Sequence, residues 1–531
     1  MAYVITQNCC KDASCVAACP VDCIRPVHRS GGADTAEMLY IDPESCIDCG
    51  ACFDECPVDA IYYEEDLPPH LARFKELNAE YFERNPLRAE NSPEVARRMP
   101  VPAGSLRVAV VGSGPAACYA AAELIATDGV EVDLFERLPT PFGLIRAGVA
   151  PDHQRTKSVV RMFNATFGRQ QLRCHFNVEV GRDISHDELV AAHHAVIYAV
   201  GASDSRALGL PQEALPGSYP AADFVGWYNG HPDHTAHDFD LTGGRAVIVG
   251  NGNVALDVAR VLLMDQTALT NTDIAEHALK ALRDSGIEEV VILGRRGLAN
   301  AAFSVSEFLA LGHLPGVDVV IEGDAMEDSA ASDFESSYKI AVAREYAGRA
   351  RTPGHKRIIF RFGATPLEVT GSERVTALRL EDGDVLETSL LLRSIGYRGK
   401  PIAGLPFDAE RGIVPNKAGR VHDDAQSPVP GVYVAGWIKR GPRGVIGSNR
   451  TCAAETVAAL WEDFNAGKLK QEVPQRDALL DLLMERGVDR LSWAGWQSID
   501  ATELERGQAA GRPRSKLVSL HEMVAAAQSC E

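Results

Sequence analysis

The sequence is short of several things. No apolar run approaches the roughly 18 to 20 residues that cross a bilayer, so a membrane-spanning helix is not expected. The N-terminus lacks a basic segment followed by an apolar core, so a secretory signal is not expected. Basic charge is scarce: 53 Lys and Arg stand against 73 Asp and Glu, a formal net charge of -20. Half of that excess lies in residues 1–66, where thirteen acids face three bases. So acidic a segment repels nucleic acid and membrane surfaces and is steered towards a basic patch on a partner. Cysteine is nearly absent beyond residue 56. Nine of the thirteen fall in the first 56 residues, while Cys118, Cys174, Cys452 and Cys530 are scattered. That distribution fits a reducing cytoplasm better than a disulfide scaffold. At 531 residues the chain has room for about three domains.

What is there begins with those cysteines. Cys46-Ile-Asp-Cys49-Gly-Ala-Cys52-Phe-Asp-Glu-Cys56-Pro57 is a complete C-x2-C-x2-C-x3-C-P run. Three thiolates at that spacing converge on one cubane iron-sulfur cluster, and the fourth, before proline, leaves to ligate a second. A zinc site would need only four ligands, usually in two pairs. Upstream, Cys15-Val-Ala-Ala-Cys19-Pro-Val-Asp repeats Cys52-Phe-Asp-Glu-Cys56-Pro-Val-Asp. In that register Cys9 matches Cys46, Cys15 matches Cys52, and Asp12 stands where the second half has Cys49. The crossing rule assigns Cys46, Cys49, Cys52 and Cys19 to one 4Fe-4S cluster and leaves Cys9, Cys15 and Cys56 for the other. A three-thiolate site rests as 3Fe-4S unless a carboxylate such as Asp12, or solvent, holds a fourth iron. Cys10 remains an alternative to Cys9. Cys23 falls opposite Ala60 and reads as a small buried residue.

Residues 67–104 form a connector punctuated by Pro68, Pro69, Pro86, Pro93, Pro100 and Pro102, with a helix expected around Leu71 to Arg84. At Leu106 the composition changes. Val108-Ala-Val-Val111 reads as a buried parallel strand, and Gly112-Ser-Gly114-Pro-Ala-Ala117 opens a helix. Gly112 permits the tight turn, Gly114 lets a pyrophosphate approach the backbone, and Ala117 lets helix and strand pack closely. The next strand, Glu131 to Phe135, ends at Glu136, a carboxylate placed for an adenosine ribose. A second copy follows: Ala246–Val249, then Gly250-Asn-Gly252-Asn253-Val254-Ala255, then a strand at Glu289–Leu293. Here Gly294-Arg295-Arg296 replaces the acid. Two guanidiniums suit a 2′-phosphate, so FAD is expected in the first fold and NADP(H) in the second.

Ala195–Gly201 and Leu390–Gly396 read as apolar strands where the chain crosses between the two folds, and Gly431–Trp437 as a late strand returning to the flavin. The helix from about Thr451 to Phe464 is expected to be capped by Ser448 or Asn449, its N-terminus favouring negative charge on a flavin. His231, His234 and His237 lie in a polar loop and read as surface residues rather than a metal site.

The cysteine pattern resembles that of seven-iron bacterial ferredoxins. Residues 105–531 resemble adrenodoxin reductase and related bacterial NADPH-ferredoxin reductases, on Val110–Ala117, Leu138–His153, Gly250–Asp257, Gly294–Gly297 and Ala435–Pro442. Taken whole, the chain resembles the actinobacterial ferredoxin/ferredoxin–NADP reductase fusions. The resemblance implies an α+β two-cluster ferredoxin-like domain at 1–66, the connector at 67–104, and an α/β glutathione-reductase-like flavoprotein. In the latter, FAD-binding parts at 105–220 and 391–531 flank an NADP-binding domain at 221–390. It places Gly114, Glu136, Leu144, Trp437 and Ile446 on FAD, and Asn253, Arg295, Arg296 and Glu307 on NADP, with Gly444 near the nicotinamide. Val180, Val254 and Val445 count among its cofactor-binding positions. His153 and Glu307 resemble a pair near flavin and nicotinamide; for His153 a proton-relay role and a purely structural one both stand.

The expected chemistry is two-electron transfer from NADPH to FAD, then single electrons to the fused ferredoxin, an external ferredoxin, or another one-electron acceptor such as a cytochrome P450 chain. A disulfide-reductase reading needs a redox cysteine pair beside the flavin, and Cys118 and Cys452 are single. The competing reading is an electron-input subunit for a dedicated partner, similar to the small subunit of glutamate synthase.

Overall fold

The computed structural model describes residues 2–26, 36–87, 98–323 and 333–528. Pro93 of the connector and Cys530 lie outside the described residues.

The N-terminal unit is small and built twice. Strand Tyr3–Ile5 pairs antiparallel with Ile61–Tyr63, and Ile24–Arg25 with Tyr40–Ile41. Short helices Ser14–Ala18 and Ala51–Asp54 carry Cys15 and Cys52. The repeat read from the cysteines recurs in the backbone: Lys11 and Asp48, Ala13 and Gly50, and Asp22 and Asp59 all adopt positive φ, between 50° and 76°. These are the pairs that a Cys9-to-Cys46 register makes equivalent. Left-handed backbone at three matched non-helical positions is uncommon enough to mark one loop geometry used twice. The expected connector helix forms over Arg73–Arg84 and lays Phe74, Leu77 and Phe82 on this unit.

Beyond the connector lie two larger sheets. The first runs Asn416–Lys417, Arg420–His422, Pro428–Val434, Ala195–Tyr198, Leu106–Val111, Val130–Glu136, Leu172–Phe176, its last five strands parallel. Leu106–Val111 sits near its centre with every residue buried, as a strand covered on both faces requires. The second sheet has six parallel strands: Ser218–Pro220, Leu390–Arg393, Arg245–Val249, Glu289–Gly294, Lys356–Phe362, Val317–Glu322. Its composition moves the expected divisions at 220/221 and 390/391. Ser218–Pro220 and Leu390–Arg393 pair with each other inside the second sheet, so the second unit begins earlier and ends later than the resemblance implied. The chain crosses between units slightly further out, where Asp204–Ser205 pairs antiparallel with Tyr397–Arg398. The return strand Pro428–Val434 joins Ala195–Tyr198 as anticipated. Helices α-turn into place after each glycine turn: Pro115–Ile125 in the first unit and Asn253–Leu263 in the second. Among the described residues no helix is long and apolar enough to cross a membrane.

Candidate functional site

In the N-terminal unit Cys19, Cys46, Cys49 and Cys52 line one pocket together with Cys23, closed by Tyr3, Ile24 and Ile41. The first four are the cysteines that the crossing rule groups, and Cys23 is the fifth thiol in the same pocket. Cys49 is exposed and Cys52 buried, so the pocket opens on one side. At the other end Cys9 and Cys56 are half-buried and Cys15 is buried. Burial pushes the Cys9 thiol up to about 11 and the Cys52 thiol up to about 12, so iron must displace protons to bind. Cys23 is buried, with its Sγ 3.4 Å from that of Cys19.

Asp12, which replaces the eighth cysteine, is 3% exposed. One carboxylate oxygen accepts from the Ser14 backbone (3.1 Å) and hydroxyl, and the other accepts from the Tyr119 hydroxyl at 2.8 Å. Tyr119 stands on the helix that follows the first glycine turn. The neighbouring Cys10 carbonyl accepts from Gly447 N at 2.7 Å, and Arg450 Nη1 donates to the Asp12 carbonyl at 2.8 Å. Gly447, not Ser448 or Asn449, occupies the N-cap position of the helix Ser448–Asn465. The Ser448 hydroxyl and the Asn449 amide donate to Val445 O, so neither caps; a loop carbonyl takes their hydrogens instead.

The two glycine turns match in detail. Gly112 has φ of 103°, and a Cβ there would lie 2.6 Å from Ala199 O; Gly250 has φ of 110°, and its Cβ would lie 2.2 Å from Ser394 O. Gly114 and Gly252 open into free space, each at the start of an 11-residue helix with no side-chain cap. Uncapped N–H groups facing an open glycine fit a pyrophosphate. Around the first turn, Gly143 packs on Gly114 and brings Leu144, and Gly436 packs on Ala116 and brings Trp437. Leu144 and Val445 are exposed, and Ile446, Trp437 and Val180 are half-buried. Gly444, at φ of 84°, turns the chain towards Ser448. Val180 packs with Val111 and Phe135 behind the turn, and Ala117 is fully buried. Glu136 accepts from Ser113 N at 3.1 Å, Ser113 Oγ at 2.7 Å and Leu138 N at 3.0 Å. In the second unit Arg295 and Arg296 are exposed at the corresponding strand end, Val254 is half-buried, and Asn253 Oδ1 accepts from Ser304 N at 2.7 Å.

Where the units meet, a buried arginine that sequence reasoning missed organises the polar groups. Arg260 ion-pairs with Asp152, with Asp257 at 2.7 Å and with Glu307 at 3.3 Å. Its Nη2 also lies 2.8 Å from His153 Nε2. Arginine can only donate, so Nε2 accepts and the imidazole proton sits on Nδ1. Glu307 is 3.8 Å from the same Nε2. Burial opposes the charge on Arg260, yet the three carboxylates hold its pKa well above the usual value. Burial would raise Asp152, but the Arg260 guanidinium brings it below the usual range, whereas burial wins at Asp257 and raises it. The signal was present in part: Asp257 and Arg260 sit three apart on one helix, within reach of each other.

His231, His234 and His237 depart from expectation. They are half-buried rather than surface residues, and His234 and His237 close on Asp223 at 3.6 and 3.7 Å. The cause is Gly226, which leaves room for the His234 ring to lie on its helix.

Comparison with known proteins places these observations in context. Residues 39–62 match the 4Fe-4S binding domain model, and residues 106–296 match that of pyridine nucleotide-disulphide oxidoreductases. A probable ferredoxin/ferredoxin–NADP reductase of Mycobacterium tuberculosis is 48% identical over 550 residues, covering 100% of this chain and 95% of its own. The mitochondrial NADPH:adrenodoxin oxidoreductase of Arabidopsis thaliana is 40% identical, covering 80% of this chain and 95% of its own. The structure of M. tuberculosis FprA in complex with NADPH is similar over 80% of this chain and 99% of that one, with 44% identity and a TM-score of 0.75.

Proposed function

The chain belongs to the ferredoxin/ferredoxin–NADP reductase family, and on that premise we propose how its own residues carry out the reaction. It is an NADPH–ferredoxin reductase, an oxidoreductase with iron-sulfur and flavoprotein parts. The finer assignments rest on the site geometry. The N-terminal unit is read as a two-cluster ferredoxin: Cys19, Cys46, Cys49 and Cys52 hold a 4Fe-4S cluster, and Cys9, Cys15 and Cys56 hold the second. The matched positive φ at Lys11 and Asp48 favours Cys9 over Cys10. Both Asp12 oxygens are already engaged, which favours 3Fe-4S there. The remainder is read as a glutathione-reductase-like pair of domains. FAD takes the first glycine turn, with Gly112, Gly114, Ala117 and Glu136, bordered by Leu144, Trp437 and Ile446. NADP takes the second, with Gly250, Gly252 and Asn253, its 2′-phosphate on Arg295 and Arg296.

FAD, when bound, supplies the conversion between the hydride of NADPH and single electrons. The chain's part is positioning. Asp257, Glu307 and Arg260 come from the second unit, His153 and Asp152 from the first, and their shared cluster ties the two nucleotide sites together. That junction is the observation that carries the reading. Arg260 fixes the His153 ring by donating to Nε2, and Glu307 sits beside it as the one carboxylate of the cluster implied to reach the nicotinamide. An external ferredoxin or comparable carrier is the expected partner.

The test is a paired measurement on the purified holoprotein. Steady-state kcat/KM for NADPH should exceed that for NADH, and flavin released by denaturation should be FAD. A preference for NADH would refute the arginine assignment. A His153→Gln variant that keeps its FAD and is reduced by NADPH at the unchanged rate would take His153 out of the reaction.

A further inference from the structure

The two halves of the ferredoxin repeat are equivalent in backbone and opposite in environment. Cys10 is 4% exposed, and its twin Ile47 is 58% exposed. Asp12 is buried, whereas its twin Cys49 is exposed. Val58 is 1% exposed, and its twin Val21 is 38%. Each buried member touches the reductase. The Cys10 and Asp12 carbonyls accept from Gly447 and Arg450, and the Pro57 carbonyl accepts from Ser158 Oγ at 2.9 Å. Cys10, Val58 and Ala60 belong to the same apolar core as Leu106, Ala116 and Tyr119 of the first nucleotide unit. A Cβ on Gly447 would lie 2.0 Å from the Lys11 carbonyl, so the contact is a backbone-to-backbone seal. The same surface at the other end of the repeat has no cover among the described residues.

We propose that the N-terminal unit conducts between two ends. The Cys9–Cys15–Cys56 end, sealed on the start of the helix Ser448–Asn465, receives electrons. The twin end around Ile47 and Cys49 is the docking surface for an external one-electron acceptor with a basic rim around a small-residue contact. The chemistry of that partner follows from the sealed end, where the ferredoxin already accepts a glycine and two arginines, Arg450 and Arg155. It follows also from charge. Asp54 and Glu55 are exposed beside Phe53, itself 52% exposed, and Asp48 lies near Cys49. Apolar residues ringed by acids fit a basic partner and speed its approach. Asp12 is thereby a positioning residue that holds the receiving end to Tyr119, in place of a cysteine that would be an iron ligand. The balance is one NADPH to NADP+ and one proton, with two electrons leaving singly to reduce two acceptors.

This inference rests on the reductase reading above, and the experiment separates the two. Wild type, Ile47→Lys/Asp48→Lys and Arg450→Glu holoproteins are mixed anaerobically with NADPH. Absorbance follows the flavin, freeze-quench EPR the clusters, and cytochrome c, a basic haem protein, serves as acceptor. With Ile47→Lys/Asp48→Lys, flavin bleaching should match wild type, while cytochrome c reduction per reduced cluster falls roughly tenfold or more and loses its salt dependence. Arg450→Glu should leave flavin bleaching intact and slow the appearance of reduced clusters. Asp54→Lys/Glu55→Lys provides the same test if the first pair loses iron. Cytochrome c reduction at the wild-type rate in the exit variants holding full iron would overturn the proposal. Absence of NADPH-dependent flavin bleaching in wild type would instead overturn the reductase reading.

Discussion

The two nucleotide-binding units use the same turn and differ at one strand end. In both, the first glycine is forced into positive φ against a carbonyl of the neighbouring segment, and the residue three before it pairs with the next strand, Ala109 with Asp133 and Val247 with Val291. At the strand end Glu136 is tied to Ser113 and Leu138 in the first unit, while Arg295 and Arg296 stand exposed in the second. On the proposed reading, the shared part is a pyrophosphate cradle and the differing part chooses between a ribose hydroxyl and a phosphate, so that ligand identity would be set by a few side chains on a common frame.

The comparison breaks most strongly in the helices behind the turns. Arg260 occupies the place that Ala122 has in the first unit. Arg260→Met would leave the half-buried Asp152, Asp257 and Glu307 without their cation, and a loss of about 3 kcal/mol is expected in denaturant unfolding. Ala122→Met, on a half-buried site, should lose far less. A second break lies in the strands. Asp133 is buried with His175 at 3.2 Å, where the second unit has apolar Val291. Arg490 donates to His175 Nδ1 at 2.9 Å, and burial pulls this histidine down to about 4 from its usual 6.5. Between those values the unfolded chain takes up a proton that the folded one does not. Stability contributed there is therefore complete above pH 6.5 and lost as pH falls towards 4, by about 3 kcal/mol. Unfolding curves at pH 7.5 and 5 should show the loss, and His175→Gln should flatten it.

Smaller effects sharpen the contrast at the strand ends. Arg295→Ala/Arg296→Ala should raise KM for NADPH roughly 10- to 100-fold and leave kcat/KM for NADH unchanged, as expected for charge-assisted contacts to one phosphate. Glu136→Gln keeps one acceptor oxygen and should weaken FAD retention by about 1 kcal/mol, read as faster flavin loss on dilution.

Much of this was legible in the sequence because it is local. The cysteine repeat, the glycine turns and their strand-end charges lie within short windows, and the backbone reproduces their register. The Arg260 cluster was not, because Asp152 and His153 approach it from another unit, 108 and 107 positions away. The seal on Asp12 was equally hidden, since Tyr119 and Arg450 reach it only after folding. The half-buried His234 needed Gly226 one helix away, and the capping expectation failed because Ser448 and Asn449 turn to a loop carbonyl. Strand-pair partners also moved the unit boundaries, since Ser218–Pro220 is too short to announce itself by periodicity.

On the proposed reading, one chain carries electrons from NADPH to its own clusters. An anaerobic NADPH titration of the purified holoprotein, followed by visible absorbance for flavin and EPR for the clusters, tests it directly. Flavin should bleach, and a reduced-cluster signal should follow at a rate independent of protein concentration. Flavin that reduces while the clusters stay oxidised, or cluster reduction that scales with protein concentration, would contradict it.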